Sequence, residues 1–280
     1  MAALGKGGLG PECVMKEYGV DQYEVTVRPA PAMAAADASA VVRELTRATA
    51  RRCGQRATFT PILDPAGVGN GLHIHLSLVD GEGRPVSYDA AGTGGMSSIM
   101  ASFVAGVLRD LEALVAFTAP SVISYARLTP HRWSAAFNNL GLQDREAAIR
   151  ICPVTTMGGG DSAAQYNVEY RAADAAASPH LALAAIVHAG IRGIEDKLPG
   201  VTPVTEDLSL LAADELAARG FRKLPGTLTA ALRALADNAG LAHAFPGQFV
   251  DIYQLHKAAE IAHVADLDEA ALYAAYAGVY

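Results

Sequence analysis

Leu72, Ile74, Leu76 and Leu78 alternate with His73, His75 and Ser77 along the stretch NGLHIHLSL (70–78). Successive side chains of a strand point to opposite faces, so this period of two defines a strand with one apolar and one polar side. Such a strand needs a core under one face and leaves the other open, as in antiparallel sheets. Two histidines and a serine on the open face suit a solvated surface, a metal site or the floor of a pocket. The strand alone does not choose between them.

The surrounding pattern is mixed in the first two-thirds and helical thereafter. QYEVTVRP (22–29) alternates Tyr23, Val25 and Val27 against Glu24 and Thr26 and reads as a strand. AADASAVVRELTRATARRCG reads as an amphipathic helix stopped at Gly54. ATFTPIL and GLHIHLSLVD read as strands, with DGEGRP (80–85) as a turn. A long helix over 97–120 ends at Pro120, a residue that cannot continue it. EAAIRI (146–151) and QYNVEYR (165–171) are further strands, and helices follow at about 179–197, 207–219, 226–238, 247–264 and 267–277. This order of elements predicts an α+β fold with an antiparallel sheet rather than a doubly wound α/β fold.

Composition narrows the function classes. The chain has 280 residues, 51% apolar and 18% charged, enough to bury a substantial core. A formal net charge of −7 argues against a general nucleic-acid binder. LALAAIVHAGI, bounded by His180 and Arg192, is too short to span a membrane, and MAALGKGGLG lacks the apolar region of a secretory signal. Cys13, Cys53 and Cys152 are odd in number and widely spaced, which fits reduced thiols in a cytoplasmic protein. GKGGLG (5–10) formally matches GxGxxG, but it follows no strand and reads as a flexible leader over 1–11.

Several residues have the chemistry of a charged pocket. His73 and His75 share a strand face, and the closely spaced glycines of DPAGVGNG before them let backbone N–H groups approach a ligand. Glu17 and Glu24 flank YGVDQY; a bend at Gly19 brings them together as oxygen ligands for a hard cation. Asn167, Glu169 and Arg171 fall on one face of NVEYR, where Glu169 and Arg171 also fit an ordinary surface pair. Arg145 and Arg150 are five apart and share a face only if the strand begins after Arg145. Arg127 lies in a loop. Four arginines beside metal-type ligands suit phosphates and carboxylates.

In this order, KEYGVDQYEV, ATFTPIL…GNGLHIHLSL, APSVISYARLTP, REAAIRI and NVEYRAADAAASPHLALAAI resemble successive blocks of the glutamine synthetase family's catalytic domain. The resemblance runs from about residue 12 to the end and is nearest to the divergent branches that include γ-glutamyl–amine ligases. It implies a catalytic domain over 12–280, with a curved antiparallel sheet flanked by helices and a helical C-terminal third. It implies ATP and Mg²⁺ or Mn²⁺ as cofactors, glutamate with ammonia or a small amine as substrates, and a homo-oligomer. By position, Glu17 and Glu24 match ligands of one metal, and His73 and Glu169 ligands of a second. His75 and Ser77 match nucleotide contacts, to which Arg150 is added. Gly71 and Arg127 match residues at the glutamate, and Arg145, Arg150 and Arg171 those at the transferred phosphoryl group, Arg171 also reaching the glutamate.

Four departures accompany the resemblance. The chain has no room for the family's smaller N-terminal β-grasp domain and contains no Glu-x-Glu. Trp133 stands where a loop glutamate is expected, and Asn167 where an arginine is expected. The expectation is a truncated, weakly active or inactive form of an ATP-dependent ligase. The alternative is a non-catalytic paralogue acting as a binding or assembly subunit. A guanidino-kinase-like phosphotransferase fits less well with the histidine-bearing strand.

Overall fold

A computed structural model describes residues 1–280. A short helix, α1 (Ala2–Lys6), opens the chain, and its Leu4 is buried. Gly7 then passes close to Leu45, further along the chain. The expected flexible leader is thus partly ordered, because one leucine in it finds an apolar seat. Strands β1 (Pro11–Lys16) and β2 (Tyr23–Val27) pair antiparallel, with Lys16 opposite Tyr23 and Met15 opposite Glu24. Gln22 secures the connecting turn: its Oε1 accepts from Gly19 N at 3.0 Å. Its Nε2 donates to Gly69 O at 3.0 Å and Asn70 Oδ1 at 2.7 Å, which pins the hairpin tip to the loop before the histidine strand.

Helix α2 (Ala32–Arg52) ends at Cys53, and Gly54 takes the left-handed φ of +69° expected just past a helix. ATFTPIL, expected as a strand, has no sheet partner. Phe59 N donates to Tyr280 O at 3.0 Å, and Thr58 Oγ1 donates to the same carbonyl at 2.9 Å. Tyr280 thus takes a backbone N–H that a neighbouring strand would otherwise use.

The main sheet contains β3 (Ile74–Leu76), β4 (Leu140–Leu142), β5 (Ile149–Ile151) and β6 (Val168–Tyr170), in the order β3-β6-β5-β4. β6 pairs antiparallel with both β3 and β5, whereas β4 runs parallel to β5, so the expected antiparallel sheet is mixed at one edge. Parallel neighbours normally need a long crossover. Strands of three residues are only about 10 Å long, so the loop 143–148 suffices to return the chain.

Helix α3 (Ser98–Thr118) begins at the N-cap Ser97, whose side chain accepts from Met100 N, and is almost wholly buried. After a single turn, α4 (Ser162–Gln165), comes α5 (Pro179–Glu195), which lies against α3. Gly106 and Gly193 face each other there, and a Cβ on Gly106 would sit 2.7 Å from Gly193 Cα. The C-terminal third is helical as expected: α6 (Ala213–Ala218), α7 (Leu228–Ala236), α8 (Ala239–Ala242), α9 (Phe249–His263) and α10 (Glu269–Tyr276). The expected helix 207–219 splits because Asp207 caps a separate 3₁₀ turn, Leu208–Leu210. The hydrophobic residues form one cluster of 35, with satellites of five and four, so the helices and the sheet share a single core. Leu72, Ile74, Leu76 and Leu78 pack onto it and turn His73, His75 and Ser77 outward.

Candidate active site

The strand register places the charged residues. On β6, Glu169 sits directly opposite His75 of β3 on one side and Arg150 of β5 on the other. Residues opposite one another share a sheet face, so a histidine, a carboxylate and a guanidinium stand in one row. His73 lies two residues before His75 and Arg171 two after Glu169, which adds both to the same face.

Glu169 is the hub of this row and is only 1% exposed. Arg171 Nη1 donates to its Oε1 at 2.6 Å, and His73 Nδ1 lies 3.2 Å from the same oxygen. Arg150 Nε is 2.5 Å from Oε2, yet neither atom has an aligned hydrogen bond, so their contact is mainly one of charge. Arg171 is buried as well, and donates from Nε to Arg145 O and from Nη2 to Trp133 O, both at 3.0 Å. The Glu169–Arg171 pair is therefore a buried network rather than a surface pair. Burial lowers the pKa of His73 well below the ordinary value, assisted by the guanidinium groups of Arg171 and Arg127. Its side chain keeps 31% exposure, so a neutral imidazole reaches the opening.

A second pair of carboxylates approaches from the hairpin. Glu17 begins the turn, its N donating to Gln22 O at 2.9 Å, and Glu24 follows the first residue of β2. Burial raises the Glu24 pKa, and a hydrogen bond with Glu17 and the Glu17 charge raise it further, with Glu169 adding a smaller push. Two neighbouring carboxyl groups suit a divalent cation, which takes oxygen ligands and would relieve their repulsion. His73 and Glu169, with the unaligned Oε2 of Glu169, fit a second cation. Each set is a pair: no three His, Cys, Asp or Glu side chains meet as a ready-made metal cluster.

Arg127 and Gly71 lie on a neighbouring wall. Arg127 is buried, donates from Nη1 to Ala173 O at 3.0 Å, and faces the charge of Asp174. Burial raises the Asp174 pKa, with the Arg127 charge opposing. A Cβ on Gly71 would lie 3.0 Å from His73 Nε2 and 3.1 Å from Arg127 Nη2, so glycine lets these two groups meet beside the backbone. His75 Nδ1 is 2.8 Å from Asn167 Oδ1, while Ser77 continues the open face beyond β3. Arg145 lies in the loop before β5 with its side chain exposed, so it joins the cluster through its carbonyl.

Three contributors were not evident from the sequence. Glu146 accepts from His131 N at 2.6 Å and from Trp133 N at 2.8 Å, holding the loop between them. Asp174 is the buried counter-charge of Arg127; a lone aspartate in the apolar run RAADAAAS was the available signal. Tyr18, in the hairpin turn, stacks on Trp133 with ring centroids 4.7 Å apart and planes at 22°.

Known proteins share this architecture. The model of the glutamine synthetase catalytic domain matches residues 1–272. The γ-glutamylpolyamine synthetase GlnA3 of Streptomyces coelicolor is 40% identical over all of this chain and 59% of its own length. The glutamine synthetase of Streptomyces filamentosus is 37% identical over 84% of this chain and 49% of its own. A crystal structure described as a novel glutamine synthase homolog superposes with a TM-score of 0.89 at 43% identity, covering 100% of this chain and 62% of its own. A complex of GmaS with ADP gives 0.82 at 29% identity, over 96% and 60%. The chain thus spans about three-fifths of the length of the first of these relatives. With its fold, its charged sheet face and the match over 1–272 in agreement, the chain belongs to the glutamine synthetase family and carries that family's catalytic domain.

Proposed function

We propose that this chain supplies the reaction centre of an ATP-dependent carboxylate–amine ligase that makes an amide through γ-glutamyl phosphate. The observation that carries the reading is Glu169, set between His73 and His75 on one strand and Arg150 on the other, with Glu17 and Glu24 close by. In this reading His73 and Glu169 hold one Mg²⁺ or Mn²⁺, and Glu17 and Glu24 hold another. When bound, such cations neutralise phosphate charge. His75 and Ser77 face the nucleotide.

Arg127 binds a substrate carboxylate beside Gly71, where the missing Cβ lets its guanidinium and the His73 ring approach the backbone. Arg150 and Arg171 stabilise charge on the transferred phosphoryl group, with Arg145 at the rim. Phosphoryl transfer needs positioning and charge neutralisation more than covalent help from the protein, which suits fixed guanidinium groups. The γ-carboxylate attacks the terminal phosphate, ADP leaves, and an amine then displaces phosphate from the acyl phosphate. The intact protein acts as a homo-oligomer in this reading.

The test is calorimetric titration with MgATP, followed by phosphate release with glutamate and a panel of amines. Saturable MgATP binding is expected, with weak or no amine-dependent phosphate release from this chain; absence of MgATP binding would defeat the reading. Co-purification with a full-length synthetase would support a binding or assembly subunit instead.

A further inference from the structure

We infer that the stacked pair Tyr18–Trp133 selects the amine, favouring a primary alkylamine over ammonia. The inference rests on the ligase reading for its context, but the structural argument concerns the pair itself.

The two rings come from separate segments of the chain that meet beside the charged row. Tyr18 follows Glu17 in the hairpin turn, and Trp133 belongs to the loop held by Glu146. The Trp133 carbonyl accepts from Arg171, which in turn donates to Glu169. The indole is thereby tied to the charged row through two consecutive hydrogen bonds. Trp133 also has a φ of +52°, a left-handed conformation that costs a bulky side chain energy and persists only when its surroundings enforce it. Two bonds from this residue's own backbone, to Glu146 and from Arg171, supply that enforcement.

Despite this fixing, the rings are open. Tyr18 is 73% exposed and Trp133 48%, since each covers only one face of the other. A solvent-facing aromatic pair beside a charged row, fixed to it through Arg171, is a surface for something partly apolar. Aromatic faces attract ammonium groups and also bury methylenes, so an alkylamine gains on both counts. Ammonia has no methylene to bury. Each buried methylene is expected to improve binding about fourfold.

Trp133 is the single tryptophan of the chain, so its emission reports on this pair directly. The experiment titrates the full 280-residue chain with ammonium, methylamine, propylamine and butylamine chlorides while following tryptophan fluorescence, with butanol as the uncharged control. Saturable changes are expected, with affinity rising about fourfold per methylene from methylamine to butylamine, and weaker for butanol than for butylamine. Tyr18→Ala should flatten this series and Tyr18→Phe should retain it. Emission unmoved by every alkylamine, or affinities equal for ammonium and butylamine, would overturn the inference. Parallel MgATP titrations and phosphate-release assays separate the two claims: saturable fluorescence with neither MgATP binding nor turnover supports the amine surface and defeats the ligase reading. Turnover with no chain-length preference does the reverse.

Discussion

Glu169 and Arg171 form a buried pair whose energetic weight can be worked out from their partners. In Glu169→Gln the carboxylate charge disappears, and the new amide nitrogen faces the donor Nε of Arg150 or the donor Nη1 of Arg171. Removing one partner from a buried ion pair commonly costs about 3–5 kcal/mol. Two features reduce the cost here: Arg150 keeps 15% side-chain exposure and can turn toward water, and Arg171 retains the carbonyls of Arg145 and Trp133. About 3 kcal/mol is the expected loss. Arg171→Met leaves those two carbonyls without their donor and Glu169 with Arg150 as its remaining guanidinium, again about 3 kcal/mol. Groups in one network are not additive, so the double variant should lose about 4 rather than about 6 kcal/mol, a coupling of about 2. Equilibrium urea unfolding of the four proteins at pH 7 measures this, with coincident circular dichroism and tryptophan transitions required. Losses that add to within about 0.5 kcal/mol would refute the buried network as described.

Other expectations follow from single positions. Gly190→Ala would drive a Cβ to 2.1 Å from the Phe103 ring where α3 meets α5, and should cost about 2 kcal/mol, or about 4–8 °C in Tm by calorimetry. Gly71→Ala should push apart His73 and Arg127 with little effect on Tm, and raise the KM for glutamate about tenfold, equivalent to about 1.4 kcal/mol; an unchanged KM would remove Gly71 from the substrate wall. Glu24 carries a raised pKa, so its proton competes with a divalent cation: Mn²⁺ affinity, followed by calorimetry, should fall with decreasing pH at a higher pH than an ordinary carboxylate would allow. The folded state also binds that proton more tightly than the unfolded chain does. The contribution of Glu24 to stability should therefore decline as pH rises from its unfolded pKa through its raised folded one, and Glu17→Gln should reduce that decline in urea titrations.

The parts of the site that were legible in the sequence are those set by period. The alternation of 72–78 separated His73, His75 and Ser77 from the leucines, and the same rule put Glu169 and Arg171 on one side of NVEYR. Alternation says which residues share a face but not which faces are covered. β6 is a central strand, so Val168 and Tyr170 are as buried as Glu169, and the surface-pair alternative for Glu169 and Arg171 gives way to a buried pair. LGL at 140–142 was too short to show a period, which hid the parallel edge of the sheet. ATFTPIL had strand-like composition, but its Phe59 N–H bonds Tyr280 in place of a neighbouring strand. The assignments of separate roles to His73, His75 and the arginines came from the family resemblance, since no local rule distinguishes a metal ligand from a nucleotide contact. Glu146 was invisible because its partners are backbone N–H groups of a left-handed loop.

The same geometry shows what a divalent cation would meet at Glu169. Two guanidinium groups, of Arg150 and Arg171, already face the Glu169 carboxylate. On the ligase reading, a divalent cation arriving between His73 and Glu169 meets a carboxylate whose charge is already matched, so it must compete with an arginine. The two arginines are not equal competitors. Arg171 is buried, with both of its other donating nitrogens bound to carbonyls, and releasing it would strand three hydrogen bonds. Arg150 is more exposed and holds Glu169 by an unaligned contact, so it is the cheaper one to release. It lies on the sheet face shared with His75, where the reading places the nucleotide. An arginine displaced from Glu169 is therefore already on the side where phosphate charge would need it, and Arg171 stays behind to hold the loop that carries Trp133.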